Sequence, residues 1–210
     1  MSLKVNEIFY SIQGESSWAG LPFVFVRLTG CNLRCSYCDT RYAYDEGEET
    51  TVERILQQIK AYNCRRVEIT GGEPLLQKET PALVSRLLAE GYTVLMETNG
   101  SLDINLVDNR CLRIVDIKCP MSGMSGKNDL ANIERLTVGD ELKFVIADQD
   151  DFAFARDIAV REPCRKINFA PVSGKLSPQL LAEWILEHRL NVRLQLQLHK
   201  IIWQPERRGV

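Results

Sequence analysis

Three cysteines lie within eight residues of the chain, at Cys31, Cys35 and Cys38 in the stretch CNLRCSYC. Thiolates are the usual ligands of iron–sulfur clusters, and a cluster of four irons needs a ligand on each iron. Three thiolates therefore leave one iron open. An open coordination position indicates chemistry, by the same logic that separates catalytic from structural zinc sites. The spacing predicts a [4Fe–4S] cluster that can accept a further ligand.

Two other interpretations of these cysteines remain open. Cys35 and Cys38 also form a CxxC, which would be a redox dithiol in a thioredoxin-like protein, but Cys31 would then have no role. A zinc site would need a fourth ligand, and none lies at a finger-like spacing; the candidates are Cys64, Cys111, Cys119, Cys164, His188 and His199. The four scattered cysteines are most simply small apolar residues of the core or loops.

Polar and glycine-rich residues follow three later apolar runs, at TGGEP (70–74), ETNG (97–100) and DIKCP (116–120). In the first of these, two glycines let the backbone approach a ligand closely, and Glu73 offers a carboxylate to an ammonium group. Taken alone, this composition is more often only a turn. Its position one strand after the cysteine loop favours a functional role.

The elements that position these motifs are indicated by hydrophobic periodicity. Apolar runs of strand length alternate with stretches of helical period, which is typical of a parallel sheet built from βα units. Strands are predicted at 22–28, 65–70, 93–98, 113–118, 141–146 and 166–170, with a seventh at 192–198. Helices are predicted at about 50–61, 78–90, 128–136, 150–161 and 178–189, and the connection between 98 and 113 is too short for a full helix.

This pattern predicts an α/β fold. We expect a partial (β/α) TIM-like barrel of about six parallel strands with a reduced set of helices, formed by a single domain over residues 1–210. In such barrels the loops at the carboxyl ends of the strands converge on one mouth. The cysteine loop and the three polar motifs each follow a predicted strand, so they are expected to meet there.

The composition limits the class of partner. A chain of 210 residues with 45% hydrophobic content can bury a substantial core. Its 26 Lys+Arg against 28 Asp+Glu lack the basic excess of a nucleic-acid-binding protein, which favours a small-molecule partner. Seven cysteines, three of them tightly clustered, argue against a disulfide framework. The chain shows no signal core and no run of roughly 18 apolar residues, so we expect a cytoplasmic protein.

The cysteine loop resembles that of radical S-adenosylmethionine enzymes, and the rest of the chain resembles one of their families. The matching segments are EIFYSIQGE (7–15), GLP (20–22), FVRLTGC (25–31), CDT (38–40), ITGGEPLLQ (69–77), METNGS (96–101), DIKCP (116–120), ELKFVI (141–146), APVSG (170–174) and LQLHKIIW (196–203). In combination they are similar to the 7-carboxy-7-deazaguanine synthases. The resemblance covers essentially the whole chain.

The resemblance implies a ring contraction in queuosine and deazapurine biosynthesis. The substrate would be 6-carboxy-5,6,7,8-tetrahydropterin, and the product 7-carboxy-7-deazaguanine, formed with loss of ammonia. The implied cofactors are a [4Fe–4S] cluster, S-adenosylmethionine and Mg²⁺. The implied partners are an external electron donor, such as flavodoxin or ferredoxin, and a second copy of the chain in a homodimer. An activating protein for a glycyl-radical enzyme, which uses the same cluster chemistry, is the alternative; it would not need SIQGE or LQLHK.

The resemblance also implies the site residues. Cys31, Cys35 and Cys38 hold the cluster, and Thr40 binds Mg²⁺. S-adenosylmethionine contacts are expected at Tyr37, Cys38, Asp39, Gly72 and Glu73, with Glu97 or Asn99 at the ribose. Further cofactor contacts at Lys118, Ser122 and the segment 168–171 are expected from their place at later strand ends. Substrate contacts are expected at Ile12, Gln13, Gly14, Glu15, Arg27, Thr70, His199 and the terminal carboxylate of Val210.

Donor and acceptor chemistry supports part of the substrate set. A pterin presents N–H donors and a carboxylate, which call for an acceptor such as Glu15 and a cation such as Arg27. Arg27 in a surface ion pair, His199 as a structural hydrogen bonder and a frayed chain end at Val210 remain the alternatives. The acidic residues Asp45, Glu46, Glu48 and Glu49 are expected to form a solvated loop before the first helix.

Overall fold

In a computed structural model, which describes residues 1–163, 165–204 and 207–210, the chain builds one twisted sheet. Its strands over these residues are β1 (Ser2–Ile12), β2 (Pro22–Leu28), β3 (Glu48–Thr51), β4 (Arg66–Gly71), β5 (Thr93–Thr98), β6 (Leu112–Asp116), β7 (Glu141–Ile146), β8 (Lys166–Pro171) and β9 (Arg193–Leu194). The order is β3-β1-β2-β4-β5-β6-β7-β8-β9. From β2 to β9 all neighbours are parallel, whereas β1 runs antiparallel to both β2 and β3. The predicted partial barrel is confirmed.

The helices are α1 (Val52–Ala61), α2 (Thr80–Ala89), α3 (Asn132–Arg135), α4 (Gln149–Arg161), α5 (Pro178–Glu187) and α6 (Leu198–Ile202). Side-chain N-caps fix where two of these helices begin, α1 and α4. The Thr51 hydroxyl accepts a hydrogen bond from Arg54 N at 3.3 Å, and Asp148 accepts one from Asp151 N at 2.9 Å. Between β5 and β6 only the 3-10 turn Ile104–Leu106 forms, as the short spacing predicts. None of the described helices is long and apolar enough to cross a membrane.

Alternation along the strands separates an apolar layer from the barrel interior. On β2, Val24 and Val26 belong to the main core under the helices, whereas Phe23 and Phe25 face the other way. Each such side chain contributes roughly 1.5–3 kcal/mol when fully buried. Phe25 stacks on Phe9 of β1 with ring centroids 4.9 Å apart. This second, smaller cluster fills one end of the barrel and leaves the carboxyl end open.

Four segments differ from the predictions. β1 was not predicted, because a bulge between Val5 and Glu7 interrupts its alternation. The predicted strand 192–198 is only the two-residue β9, and its last residue already begins α6. The predicted helix 128–136 shortens to α3. Glu48 and Glu49 do not lie in a loop but pair with β1 as part of β3. Cys164, one of the scattered cysteines, lies outside the described residues.

Candidate active site

The carboxyl ends of the strands open onto a cavity of about 860 Å³. Cavities at this end of a barrel are the usual place for substrate and cofactor. Most residues expected from the sequence lie in its lining, which includes Ile12, Gln13, Gly14, Glu15, Arg27, Cys31, Cys35, Tyr37, Cys38, Asp39, Thr40, Thr70, Gly72, Glu97, Asn99, Lys118, His199 and Val210. Residues from both ends of the chain therefore meet around one space.

The three cysteines are free thiols, each half-buried, on the loop that follows β2. Two nitrogens point at the sulfur of Cys31: Leu33 N lies 3.4 Å from it and Asn99 Nδ2 lies 3.8 Å from it. Burial raises the pKa of the Cys31 and Cys35 thiols, so metal binding would release protons here. Thiols on one loop, with N–H donors aimed at sulfur, fit an iron–sulfur cluster.

The cysteine loop is held by arginines on its outer side. Arg34 donates to the carbonyl oxygens of Cys31 and Leu33, both at 2.7 Å, and Arg41 donates to Ser36 O at 2.9 Å. In the ranges that the structure describes, no three histidine, cysteine or acidic side chains are grouped as they would be around a single metal ion. The thiols open instead onto the shared cavity.

Gly72 brings the TGGEP turn against the cysteine loop. A β carbon at this position would overlap the carbonyl oxygen of Gly30 and lie 2.9 Å from the β carbon of Cys31. Glu73 N donates to Gly30 O at 2.7 Å, which fixes this approach. The second glycine of the motif is therefore required by packing, and its backbone lies beside the cluster ligands.

Glu73 and Ser122 do not reach the cavity, in contrast to the expected cofactor contacts. The fully buried Glu73 carboxylate accepts hydrogen bonds from Leu75 N at 3.0 Å, Thr98 Oγ1 at 2.9 Å and Asn99 N at 2.6 Å. It thereby joins the ends of β4 and β5. The Ser122 hydroxyl is buried and donates to Cys119 O at 2.6 Å. Both side chains are occupied by the protein itself, so in this structure they act on the site through their neighbours.

The segment 168–171 also lies away from the lining. The buried Asn168 amide donates to Glu141 Oε2 at 2.7 Å, and the cavity is reached by Val172, Ser173 and Lys175, just beyond β8. The expected contact region is therefore displaced towards the loop after the strand. Tyr37 packs against the apolar cluster that includes Val172 and donates its hydroxyl to Val145 O at 3.1 Å.

A buried ionic cluster forms the floor of the cavity. Lys143 on β7 forms ion pairs with Glu15 and, at 2.7 Å, with Glu97. The Gln13 amide donates to the carboxylate of Glu68 on β4, and its oxygen accepts from Glu15 N at 2.9 Å. Neither Lys143 nor Glu68 was expected from the sequence. The signal was present, because a charged residue inside a strand covered on both faces is costly unless it faces a polar cavity.

The three glutamates of this floor differ in ionisation. Burial alone would raise the pKa of Glu15, but the charge and the hydrogen bond of Lys143 together lower it below its ordinary value. Burial raises the pKa of Glu97, and burial together with the carboxylates of Glu97 and Glu15 raises that of Glu68 further. Of the three, only Glu15 has its ionised form favoured by its surroundings, whereas the surroundings of Glu68 and Glu97 favour their protonated forms.

Arg27 is ion-paired and faces the cavity. Its Nε donates to Glu7 Oε1 at 2.7 Å, and its guanidinium lies over the rings of Phe9 and Tyr42, at 5.6 and 5.8 Å from their centroids. The side chain is only 16% exposed, which distinguishes it from an ordinary surface pair. Thr70, on the neighbouring strand, is paired in register with Arg27.

Two further ion pairs border the cavity. Lys118 Nζ lies 2.8 Å from Asp116 Oδ2; burial would lower the pKa of Lys118, but Asp116 raises it above its ordinary value. Asp39 accepts from Thr40 Oγ1 at 2.9 Å and pairs with Lys200 Nζ at 2.7 Å. Burial opposes its ionisation, but Lys200 lowers the pKa of Asp39. The hydroxyl of Thr40 thus lies beside a carboxylate that stays charged.

The C-terminal segment closes one side of the cavity. Leu198 N donates to Gly14 O at 3.0 Å, which places the ring of His199 against Gly14. Burial lowers the pKa of His199, so the imidazole is neutral at neutral pH. Arg208 lies over the ring of Tyr42 at 4.0 Å and pairs with Glu46 at 2.7 Å. The terminal residue, Val210, then reaches the lining.

Comparisons with known proteins agree with this geometry. A model of the Radical SAM superfamily matches residues 25–118. A 7-carboxy-7-deazaguanine synthase of Chlorobaculum tepidum is 47% identical over 216 residues, covering 99% of this chain and 97% of the relative. One from Koribacter versatilis is 42% identical over 226 residues, covering 99% and 100%.

Comparison with solved structures finds the same fold in other proteins. The crystal structure of QueE from Escherichia coli superposes with a TM-score of 0.77 at 25% identity, covering 93% of this chain and 94% of that one. Streptococcus suis SuiB bound to its precursor peptide, at 14% identity and a TM-score of 0.59, shares the fold alone.

Proposed function

We infer the function of this chain from the family to which it belongs, the 7-carboxy-7-deazaguanine synthases of the radical S-adenosylmethionine superfamily. It is a radical S-adenosylmethionine enzyme, a carbon–nitrogen lyase that converts 6-carboxy-5,6,7,8-tetrahydropterin to 7-carboxy-7-deazaguanine with loss of ammonia. Its cofactors are a [4Fe–4S] cluster and S-adenosylmethionine. The observation that carries this function is that three free thiols open onto the same cavity as the Gln13, Glu15 and Arg27 side chains.

We propose that Cys31, Cys35 and Cys38 hold the cluster. When bound, the cluster and S-adenosylmethionine supply hydrogen-atom abstraction at the reacting carbon of the substrate. The backbone of Gly72 lies beside Cys31 and would border the cofactor, and Lys118 offers an ammonium on the same side. Glu73 supports this arrangement from behind, because its carboxylate holds Asn99, whose amide contacts the sulfur of Cys31.

We propose that the pterin occupies the side of the cavity formed by the two chain ends. The ionised Glu15 accepts hydrogen bonds from ring N–H groups, and Arg27 binds the substrate carboxylate. Ile12, Gly14, Thr70, His199 and the terminal carboxylate of Val210 complete this side. The pairing of Arg27 with Glu7 supports the assignment, since it fixes the guanidinium while leaving it at the cavity surface.

We propose that Mg²⁺ binds together with the substrate carboxylate at Thr40. A hydroxyl oxygen is a suitable hard ligand for a cation that keeps several waters. The neighbouring Asp39 is ionised and adds negative charge near this position. One protein oxygen makes a weak site, so binding of the metal should depend on binding of the substrate.

The reaction is tested by anaerobic incubation of reconstituted protein with a chemical reductant, S-adenosylmethionine, Mg²⁺ and 6-carboxytetrahydropterin. Mass spectrometry should detect 7-carboxy-7-deazaguanine, and the product should vanish in Cys35→Ala. Cys64→Ala is the matched control, because Cys64 is buried outside the cavity and should leave product formation intact.

A different result would identify a different reaction. Cleavage of S-adenosylmethionine with the pterin untouched would keep the cluster assignment and remove the synthase assignment. The glycyl-radical-activating alternative would then return; it is not favoured now, because the relatives that match nearly the whole chain are synthases.

The partners of the enzyme are also proposals. An external one-electron donor such as flavodoxin or ferredoxin would reduce the cluster. A homodimer and a cytoplasmic location remain predictions from the resemblance and the composition. Light scattering of the purified protein tests the homodimer.

A further inference from the structure

Lys143 is a buried residue of the cavity floor to which neither the motifs nor the resemblance assigns a role. Its side chain is 5% exposed, and its ammonium pairs with Glu15 and Glu97. Glu15 belongs to the proposed pterin side, and Glu97 lies at the end of β5 on the proposed cofactor side. One cation on β7 thus joins carboxylates from both sides of the cavity.

The direction of the Glu15 carboxylate is fixed by several contacts. Gln197 Nε2 donates to Glu15 Oε1 at 2.8 Å, and the backbone of Glu15 donates to Gln13 Oε1 at 2.9 Å. Gln13 is in turn held by Glu68. A buried carboxylate without a counter-charge becomes neutral, since desolvation disfavours its charged form. The Lys143 ammonium is the contact that opposes this.

The other charged groups near Glu15 would not take over the role of the Lys143 ammonium as its counter-charge. The charged and titratable groups that face Glu15 and Lys143 are Arg27 on β2, Asp39 in the cysteine loop, Glu68 on β4, Glu97 on β5, Asp116 and Lys118 at the end of β6, and His199 and Lys200 on α6. Of the cations, Arg27 pairs with Glu7, Lys118 with Asp116 and Lys200 with Asp39. Removal of Lys143 would therefore leave Glu15 without a counter-charge of its own, because each of these cations already pairs with another carboxylate.

We propose that Lys143 is a positioning residue of this enzyme, whose ammonium keeps the Glu15 carboxylate ionised and aimed at the pterin. The inference rests on the proposed pterin side of the cavity. A neutral Glu15 would present an O–H donor towards ring N–H donors, and the hydrogen-bond match would be lost. Lys143 itself touches neither the pterin nor the reacting carbon in this assignment.

The test is a comparison of Lys143→Met with Lys143→Arg. The affinity for 6-carboxytetrahydropterin is measured anaerobically by calorimetry without S-adenosylmethionine or reductant, so that no turnover occurs. In Lys143→Met the Kd should rise by at least about tenfold at pH 7. It should fall again as the pH is raised, because loss of the cation raises the pKa of Glu15 and its carboxylate reforms only above that pKa. Lys143→Arg keeps the charge and should keep most of the affinity.

Turnover gives a second readout. The acid limb of the pH profile of kcat/KM for the pterin should lie at higher pH in Lys143→Met than in the native enzyme, whereas kcat at saturating substrate changes less. Lys143 also contributes to the lowered pKa of His199, so the profile is repeated in a His199→Asn background, where the limb that remains belongs to Glu15. If Lys143→Met does not fold, Lys143→Gln, which keeps a donor and removes only the charge, should show the same limb.

A double variant isolates the route through Glu15. In a Glu15→Gln background the amide needs no counter-charge, so adding Lys143→Met should cost little further affinity. Additive losses, an unchanged Kd in Lys143→Met, or a loss of the same size at every pH would overturn the proposal. A native enzyme that does not bind the pterin at all would instead remove the proposed function.

Discussion

The pKa values of the three glutamates near Lys143 on the cavity floor are shifted in different directions. Lys143 lowers the pKa of Glu15 against the effect of burial, whereas the pKa values of Glu68 and Glu97 are raised. Environments that separate the pKa values of neighbouring acids produce one hydrogen-bond acceptor and one donor at the same pH. The floor can therefore offer both to a ring that carries N–H groups and a carbonyl.

Some residues of the site could be predicted from the sequence and others could not. The cysteine spacing and the paired glycines carry local signals, because their chemistry depends on neighbours in the sequence. Lys143 and Glu68 carry a weaker signal, because each is a charged residue between apolar neighbours in a predicted strand, as Lys143 is in ELKFVI. Which side of the strand it faces depends on register, and the sequence alone does not set register.

A substitution at Gly72 should loosen the cluster. In Gly72→Ala the new methyl group would overlap the carbonyl of Gly30, so the cysteine loop must shift at a cost of about 1–3 kcal/mol. Iron and sulfide bound per chain after reconstitution should fall. Gly126→Ala is the matched control, since a β carbon there meets nothing within 4 Å. Full cluster content in Gly72→Ala would contradict this account.

At the scale of elements, β1 shows why a clear strand can escape prediction. Leu3 and Val5 pack into the main core, but Phe9 faces the barrel interior, because the bulge before Glu7 shifts the alternation by one residue. The strand predicted at 192–198 was wrong for another reason. Residues 192–198 alternate cleanly, yet β9 pairs with β8 through only Arg193 and Leu194 before the chain turns towards Gly14.

The contact of Arg208 with Tyr42 should hold the C-terminal residues, including Val210, at the cavity. Arg208→Glu breaks the pair with Glu46 and the stacking on Tyr42, which frees Val210, so KM for the pterin should rise about two- to fivefold. Deletion of Val210 should raise it more sharply, with kcat less affected. Steady-state kinetics at low ionic strength measure both.

The charge swap Glu46→Arg with Arg208→Glu should recover part of the loss. Arg207→Glu is the comparison, because Arg207 lies over Trp203 rather than Tyr42. Equal effects at positions 207 and 208, or no recovery in the swap, would show that the pairing with Glu46 does not hold the tail.

At the scale of the whole molecule, a buried ion pair braces the sheet outside the cavity. Arg113 on β6 and Asp140 before β7 are almost completely buried, and Asp140 also accepts from Thr137 N at 2.7 Å. The pair links two neighbouring strands on the side where the connection from β5 is shortened. Global stability should depend on it more than on any exposed pair.

Asp140→Asn should lower stability strongly. It leaves the Arg113 guanidinium buried without its counter-charge, which costs about 3–5 kcal/mol. For a chain of this size the melting temperature should fall by roughly 6–20 °C. Asp108→Asn, which breaks the exposed pair with Arg110, should leave it unchanged. A similar melting temperature for both variants would mean that the buried pair is dispensable.

The side of the cavity around Glu15, proposed here for the pterin, joins residues that are far apart in the sequence. Gln197 bonds to Glu15 across 182 positions, and Gln195 bonds to Ser16 across 179. During synthesis on the ribosome, the cysteine loop and the strands behind it emerge well before this side can form. The nascent chain therefore holds an open half-site until residues 195–197 have been made, and a chain truncated before them would keep the cysteine loop but lack the contacts that complete the cavity around Glu15.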